Sequence, residues 1–188
     1  MKKILAITII GLLVLSSIFA GAFNFNLGAA AMYNRGFKDL VEEKKITIND
    51  FSFGAATDIK IAIIDVGATA LYSKVNNETI LNGIITADLA LDIAIVRIAA
   101  GIGYDYVWDI NQKIFVFGGV DNFADFKDAE LLAHADFEIM LDTIHIGLFG
   151  SLPTGLTFNN FMEKIKEINF DKFWERMNYG LSVKFALI

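Results

Sequence analysis

The sequence predicts an all-β protein, an eight-stranded antiparallel up-and-down transmembrane β-barrel. Three observations predict this fold: apolar and polar residues alternate with a period of two in eight segments, tight and longer connections alternate between them, and aromatic residues gather at one end of the strands. The 188 residues include 16 basic and 22 acidic side chains and no cysteine. This composition excludes a disulfide framework, a thiolate metal site and a basic nucleic-acid-binding surface.

The first 22 residues have the pattern of a secretory signal. Lys2 and Lys3 form a positive head, residues 4–20 are apolar, and Ala20-Gly21-Ala22 is a small-residue exit. A retained membrane anchor is the alternative, but the Ala-Gly-Ala exit favours cleavage after Sec-dependent export. We therefore expect residues 1–22 to be removed and residues 23–188 to form the barrel domain.

Eight segments carry the strand periodicity. In the first, Phe23, Phe25 and Leu27 lie on one face, while Asn24 and Asn26 lie on the other. The segments are 23–33, 51–63, 66–72, 81–91, 94–108, 131–141, 144–152 and 179–187. Thr57 is the one polar residue on the apolar faces. The intervening positions carry every charged or histidine side chain of the strand centres, and these form the predicted lumenal polar network: Asp58, Lys60, Asp88, Arg97, Asp105, His134, Asp136, Glu138, His145 and Lys184.

The connections and strand lengths favour a membrane barrel over a soluble sandwich or a lipocalin. Tight links are expected at 64–65, 92–93 and 142–143, and longer loops at 34–50, 73–80, 109–130 and 153–178. The longer strands, tilted by about 40°, span roughly 28 to 33 Å, which is enough for an apolar band in a bilayer. Closure into a cylinder is required because lipid cannot satisfy unpaired backbone groups.

The apolar faces carry aromatic residues at the loop end of the strands. An up-and-down order places these residues at one level, as in the aromatic girdle of outer-membrane barrels. The predicted girdle comprises Tyr33, Phe51, Phe53, Tyr72, Tyr104, Tyr106, Trp108 and Tyr179.

With this architecture over residues 23–188, the chain resembles the small eight-stranded outer-membrane proteins typified by the OmpA transmembrane domain, OmpX and OmpW. Its last segment, Tyr179-Gly180-Leu181-Ser182-Val183-Lys184-Phe185-Ala186-Leu187-Ile188, alternates like the terminal strand of that family, although it ends on Ile188 rather than an aromatic residue. The resemblance implies a monomer in the outer membrane of a Gram-negative-type bacterium, with outer-membrane lipid and the barrel-assembly machinery as partners.

An eight-stranded barrel is just wide enough for side chains to fill it, so a packed polar lumen is expected. Reflection about 92–93 places Asp88 opposite Arg97, and we expect these two residues to pair. The predicted network has five carboxylates against three permanent cations. Trapped water or added protons are expected to balance the excess.

His134 and His145 are the candidate catalytic residues. His134 reflects onto Ser151, with Asp136 two residues along the same face, so a Ser-His-Asp arrangement is possible. The resemblance to lipid-modifying barrels implies hydrolase chemistry for such a set, but an inward-facing set has poor access to lipid, and an interior network is the preferred interpretation. We expect no metal site and no cofactor, because three or four convergent ligands cannot be assembled around His145.

The loops are the second place for function. Residues 158–177 have apolar residues at helical spacing, which predicts one or two short amphipathic helices that cover the barrel mouth, lie in lipid or cap the loop's own apolar side on the girdle. Residues 37–45 are expected to form a helical turn. Part of 115–126 is expected to extend the barrel as a hairpin.

The preferred function is a non-enzymatic outer-membrane barrel that contributes to envelope structure and displays extracellular loops. The first alternative, implied by the resemblance to OmpW, is a narrow conduit for small hydrophobic molecules. A lipid-modifying hydrolase is the less favoured alternative.

Overall fold

The computed structural model describes residues 23–35, 46–75, 78–164, 166 and 173–188. The predicted signal (1–22) and the predicted helical turn (37–45) lie outside these residues. Nine strands are described: β1 (Phe23–Tyr33), β2 (Phe51–Ile61), β3 (Ile64–Val75), β4 (Glu78–Ile93), β5 (Val96–Asp109), β6 (Ile114–Phe117), β7 (Glu130–Leu141), β8 (Ile144–Thr157) and β9 (Asn178–Ala186).

The predicted fold class is confirmed as a closed, antiparallel, eight-stranded barrel. Its strands follow the order β4-β3-β2-β1-β9-β8-β7-β5, and pairing of β5 with β4 closes the ring. All neighbours along the ring are antiparallel, in up-and-down order. Closure pairs the backbone groups that an open sheet would leave at its edges.

The two faces of the wall have opposite chemistry. Ile59, Ile98 and Phe137 are 41%, 48% and 45% exposed on the outside, whereas Asp88 and Arg97 are 6% and 1% exposed on the inside. Strand alternation places successive side chains on opposite faces, so one parity supplies the apolar exterior and the other supplies the interior. The predicted direction of the apolar and ionic side chains is therefore confirmed.

Three two-residue turns define one end of the barrel, named here the turn end; the opposite end is the loop end. The turns are Ala62-Ile63, Ala94-Ile95 and Asp142-Thr143. Asp142-Thr143 was predicted correctly, but the other two predicted turns were wrong by two residues. A displacement by two residues leaves every side chain on the same face, so alternation alone cannot locate the turn.

The first residue of each turn has a positive φ: 56° at Ala62, 54° at Ala94 and 56° at Asp142. The second turn residue does not share this conformation, and a positive φ at the first central position alone is the pattern of a type II′ turn. Alanine tolerates this region less well than glycine because its Cβ approaches the following carbonyl. The turns therefore form without the glycine signal that normally identifies them.

The loop end differs from the prediction in two connections. Ser73 pairs with Ile80 and Lys74 with Thr79, so most of the predicted loop at 73–80 is strand. In the connection between β5 and β7, β6 pairs with the loop end of β5. Tyr106 is opposite Phe117, and Asp109 is opposite Ile114. The expected hairpin extension within 115–126 is therefore present over its first residues.

Helices are short in the described part of the chain. They comprise 3₁₀ turns at Ile48–Asp50 and Phe123–Asp128, helix α1 (Phe161–Lys164) and helix α2 (Phe173–Arg176). None of the helices among the described residues is long and apolar enough to cross a bilayer. The two helices agree with the amphipathic segment predicted at 158–177, of which 165 and 167–172 lie outside the described residues.

Part of the long fourth loop packs on the outside of the wall. Both α1 and α2 contact β8. A Cβ added to Gly150 would lie 2.1 Å from Cε of Met177, so this methionine lies directly on the glycine. Leu131, Leu152 and Leu156 are buried at the same end of the barrel, unlike the outward residues nearer the turn end. Met177 therefore covers Gly150 on the outside of the wall, and the interpretation that the loop caps its own apolar side on the girdle stays a prediction.

Candidate functional site

The interior facing the turn end contains a network of ionic side chains, named here the ionic network. Of the ten predicted lumenal residues, nine lie in it: Asp58, Lys60, Asp88, Arg97, His134, Asp136, Glu138, His145 and Lys184. Asp105 is the exception, because it lies near the loop end, is exposed, and lines a separate cavity.

Arg97 is the centre of the ionic network. Its Nε donates to Asp92 Oδ1 at 2.8 Å, and its Nη2 donates to the other oxygen of the same carboxylate at 3.4 Å. Its Nη1 lies 3.5 Å from both Asp58 Oδ1 and Glu138 Oε2, and 3.8 Å from Asp65 Oδ2. One guanidinium therefore contacts four carboxylates, a geometry that the planar fork of arginine permits.

Two lysines also pair with carboxylates of the ionic network. Lys60 Nζ lies 2.5 Å from Asp92 Oδ2, which already binds Arg97. Lys184 Nζ pairs with Asp58 at 2.5 Å, with Glu138, and with Asp136 at 3.8 Å. The uncharged amide of Asn26 also donates a hydrogen bond from Nδ2 to Asp58 Oδ1 at 2.6 Å. Buried charges persist only when they are paired and hydrogen-bonded in this manner.

The expected pair between Asp88 and Arg97 does not form. With the turn at Ala94-Ile95, Asp92 lies opposite Arg97, and Asp88 lies opposite Gly101. Gly101 is in turn opposite His134 on the next strand. Asp88 Oδ2 and His134 Nδ1 are 2.9 Å apart across this glycine. A Cβ on Gly101 would lie 2.6 Å from Asp88 Oδ1, so the missing side chain makes room for the contact.

The residues of the possible Ser-His-Asp set are only partly brought together. Ser151 is directly opposite His134 in the ladder, as the reflection predicted. The acid that contacts His134 is Asp88 rather than Asp136, and among the described residues no hydrogen bond joins His134 to Ser151. All of these side chains face the interior. His145 instead lies 3.6 Å from Glu138 Oε2.

The sequence reasoning missed two acids of the ionic network, Asp65 and Asp92. Both were placed in tight turns, and both lie within strands at inward positions. Their parity was a usable signal, because Asp92 is four residues from the inward Asp88 on β4 and Asp65 is two residues from the inward Gly67 on β3. The corrected network contains six carboxylates against the permanent cations Lys60, Arg97 and Lys184.

A small cavity of about 40 Å³ lies within the ionic network. Its lining includes Asp65, Asp88, Asp136 and Ser182, each of which has a buried oxygen without a protein hydrogen-bond partner. This volume accommodates water molecules, which commonly satisfy such oxygens. Within the described ranges no three acidic or histidine side chains are arranged to hold a metal ion.

An apolar layer separates the ionic network from the loop end. It consists of the inward residues Ala30, Met32, Ala56, Leu71, Ile84, Leu132 and Phe149, which pack together and are buried. Beyond this layer lies a cavity of about 300 Å³, named here the mouth cavity. The lumen is therefore not uniformly polar: charged side chains fill one part and apolar side chains fill the next.

The register places five of the eight predicted girdle residues opposite one another near the loop end. Tyr33 is opposite both Phe51 and Tyr179, and Phe53 is opposite Tyr72. Three of the eight, Phe53, Tyr72 and Trp108, are exposed large side chains. The others are partly exposed apart from Tyr33, which is buried and packs on Phe51 with ring centroids 5.3 Å apart.

Two tyrosines of this set make local contacts on β5. Tyr104 packs on Phe117 of β6 with ring centroids 4.8 Å apart. Tyr106 donates its hydroxyl proton to the Thr69 carbonyl at 2.6 Å, and its ring stacks on Phe115. Backbone pairing between β3 and β4 is interrupted beside Thr69, whose own hydroxyl accepts from Ile84 N at 3.0 Å. Side chains thus replace missing ladder hydrogen bonds at this point.

The described end of the first loop is fixed by Asp50. Its Oδ2 accepts hydrogen bonds from Thr47 N at 2.7 Å and from Thr47 Oγ1 at 2.9 Å, and Arg35 pairs with Oδ1 at 3.0 Å. The two hydrogen bonds from Thr47, assisted by the charge of Arg35, hold the pKa of Asp50 below its usual value.

Comparisons with protein-family models, with curated proteins and with solved structures found no match for this chain. The fold and the interior therefore define its class by themselves. It is a closed up-and-down barrel with an apolar exterior, an ionic network facing the turn end and a cavity at the loop end.

Proposed function

We propose that this chain is a non-enzymatic outer-membrane β-barrel protein that contributes to envelope structure and displays its loops at the outer surface. One observation carries the proposal: large apolar side chains cover the outside of the wall, while the ionic side chains at the strand centres face inward. In water this arrangement would cost free energy on both faces, because the outside exposes apolar side chains to solvent and the inside buries charged ones. In a bilayer the apolar band faces acyl chains, and closure satisfies the backbone.

The ionic network supports a barrel that does not conduct. Arg97, Lys60 and Glu138 are almost fully buried, and they bridge side chains from several strands across the lumen. The apolar layer above them adds a second obstruction. An eight-stranded barrel has an interior that side chains fill, so a packed lumen is the default state of this architecture.

Membrane placement is tested with two matched lysine substitutions. Ile102→Lys puts a charge at the middle of the exterior of β5, and we expect it to lower the free energy of unfolding in lipid vesicles by about 2–4 kcal/mol. Ile114→Lys lies near the loop end and should cost at most about 1 kcal/mol. Both residues are exposed, so a soluble barrel would tolerate both changes equally, and that result would overturn the proposal.

Two measurements on the unmodified chain complete the test. In SDS gels, an unboiled lipid-refolded sample should migrate differently from a boiled one, because a closed barrel resists SDS until heated. In planar bilayers, single-channel recordings should show little or no steady current. A sustained conductance would contradict the packed lumen while leaving membrane placement intact.

A narrow conduit for small hydrophobic molecules is the second candidate, and the apolar layer favours it. The apolar layer gives this part of the lumen a lining that a hydrophobic molecule could contact, through Met32, Leu71 and Phe149. The ionic network below opposes complete passage, because an apolar solute would have to separate buried ion pairs. Accelerated entry of a hydrophobic fluorophore into vesicles that contain the protein would favour the conduit.

A further inference from the structure

The mouth cavity has the size and the lining of a small-molecule site. Its volume of about 300 Å³ lies at the lower end of the range of ligand pockets. Its lining includes the apolar side chains of Met32, Ile84 and Leu132 and also polar side chains, among them Asn82 and Asp105. All of its lining residues belong to the described part of the chain.

The charge of the cavity is negative. Asp105 is the charged residue that lines it, and among the described residues its carboxylate has no ion-pair partner. Backbone hydrogen bonds through Gly118 link Asp105 of β5 to the start of β7. Gly118 N donates to Asp105 O, and Glu130 N donates to Gly118 O. A second acid, Glu130, therefore begins β7 beside Asp105. An anionic ligand would be repelled here.

A hydrogen-bond acceptor without a partner lies close to this carboxylate. Asn82 lines the same cavity, and its Oδ1 is buried without a hydrogen-bond partner. In the β4–β5 ladder Asn82 is opposite Val107, and Asp105 is opposite Ile84, so the two polar residues are diagonal neighbours on the inward face. Diagonal neighbours are about 7–8 Å apart, which is within reach of one bound group.

The geometry points to a binding site for a small primary amine with an apolar body. The ammonium group donates to Asp105 and to Asn82 Oδ1, which supplies the donor that this buried acceptor lacks. The apolar body lies against Met32, Ile84 and Leu132. A neutral alcohol offers one donor and no charge, so it satisfies this site less completely. The inference requires the folded barrel alone and does not depend on membrane placement or conductance.

The test uses 2-phenylethylamine as the probe, with 2-phenylethanol and 3-phenylpropanoate as its neutral and anionic analogues. Each is titrated into the full chain refolded in detergent micelles, and NMR shifts of the Asn82 side-chain amide and the Gly83 backbone amide are followed. We expect saturable shifts with the amine, and binding of either analogue that is weaker by about tenfold or more. Equal affinities for the three compounds would show partition into detergent and would overturn the site.

Two variants assign the effect to the carboxylate. Asp105→Asn should weaken amine binding by about tenfold or more. Asp121→Asn removes the same charge from an exposed position in the third loop and should leave affinity unchanged. Equal loss in both variants would indicate a general charge effect and would contradict the proposal. If Asp105→Asn does not fold, the comparison of the three probes on the unmodified chain decides the question.

Discussion

Replacement of Arg97 by methionine gives the most direct measure of the ionic network. Arg97 is 1% exposed and is the one ion-pair partner of Asp65 in the described part of the chain. After the change Asp92 retains Lys60, whereas no cation in the described part of the chain remains within ion-pair distance of Asp65. Removal of one partner from a buried ion pair costs about 3–5 kcal/mol, because the remaining charge is left uncompensated. We expect a loss of this size.

The loss in the free energy of unfolding should be smaller when the carboxylate of Asp65 is also replaced by a neutral group. Asp65→Asn added to Arg97→Met should recover about 1–3 kcal/mol, the usual coupling between residues of one network. Urea unfolding of vesicle-refolded protein, followed by tryptophan fluorescence, provides the free energies for the cycle. Lys127→Met serves as the control, because Lys127 is exposed and should change stability by at most about 0.5 kcal/mol.

Two results would refute this reasoning about Arg97. A loss below about 1 kcal/mol for Arg97→Met would mean that the carboxylates around it are neutral or hydrated and do not depend on the guanidinium. Additive effects in the double variant would mean that Asp65 and Arg97 do not interact across their 3.8 Å separation.

Three further predictions concern turns, strand contacts and the first loop. Ala94→Gly should raise stability by about 0.5–1 kcal/mol by relieving the positive φ, whereas Ala87→Gly in a strand should lower it by a similar amount in the same urea assay. Gly54→Ala should cost about 1–3 kcal/mol, because its Cβ would lie 1.9 Å from a carbonyl of the neighbouring strand; unchanged stability would contradict that contact. Asp50→Asn should remove a stabilisation that is present above about pH 4, since the Thr47 hydrogen bonds lower the pKa of Asp50. The difference from wild type should vanish as pH falls through that lowered pKa, and a difference that persists in acid would contradict the assignment.

The alternation of side chains was sufficient to predict the fold and the faces of the strands. Ile98 and Arg97 are adjacent in sequence, yet one is half exposed and the other is buried. A period of two produces this result whatever the register, so the prediction did not depend on the turn positions. For the same reason it could not choose between registers that differ by two residues.

The sequence therefore predicted which residues lie in the interior, but it could not predict which of them contact one another. His134 contacts Asp88 on a strand that is not its neighbour, and the contact passes across Gly101 of the strand between them. Such a contact depends on the curvature of the closed sheet, which no local pattern encodes. The apolar layer was also missed, because its members come from different strands and lie together only after closure.

The turn between β4 and β5 lies where the free energy of ion pairing in the interior outweighs the backbone strain in the turn. A turn at 92–93 would place Asp88 opposite Arg97, but it would also put Asp92 at the tip and away from Lys60, which is 1% exposed and has Asp92 as its one ion-pair partner in the described part of the chain. Loss of that buried pairing costs about 3–5 kcal/mol, whereas the positive φ at Ala94 costs about 1–2 kcal/mol. The ion pairs of Asp92 outweigh the backbone strain, so the strained turn is retained. A glycine at position 94 relieves the strain without moving Asp92, and for that reason Ala94→Gly should stabilise the barrel while leaving the interior pairing unchanged.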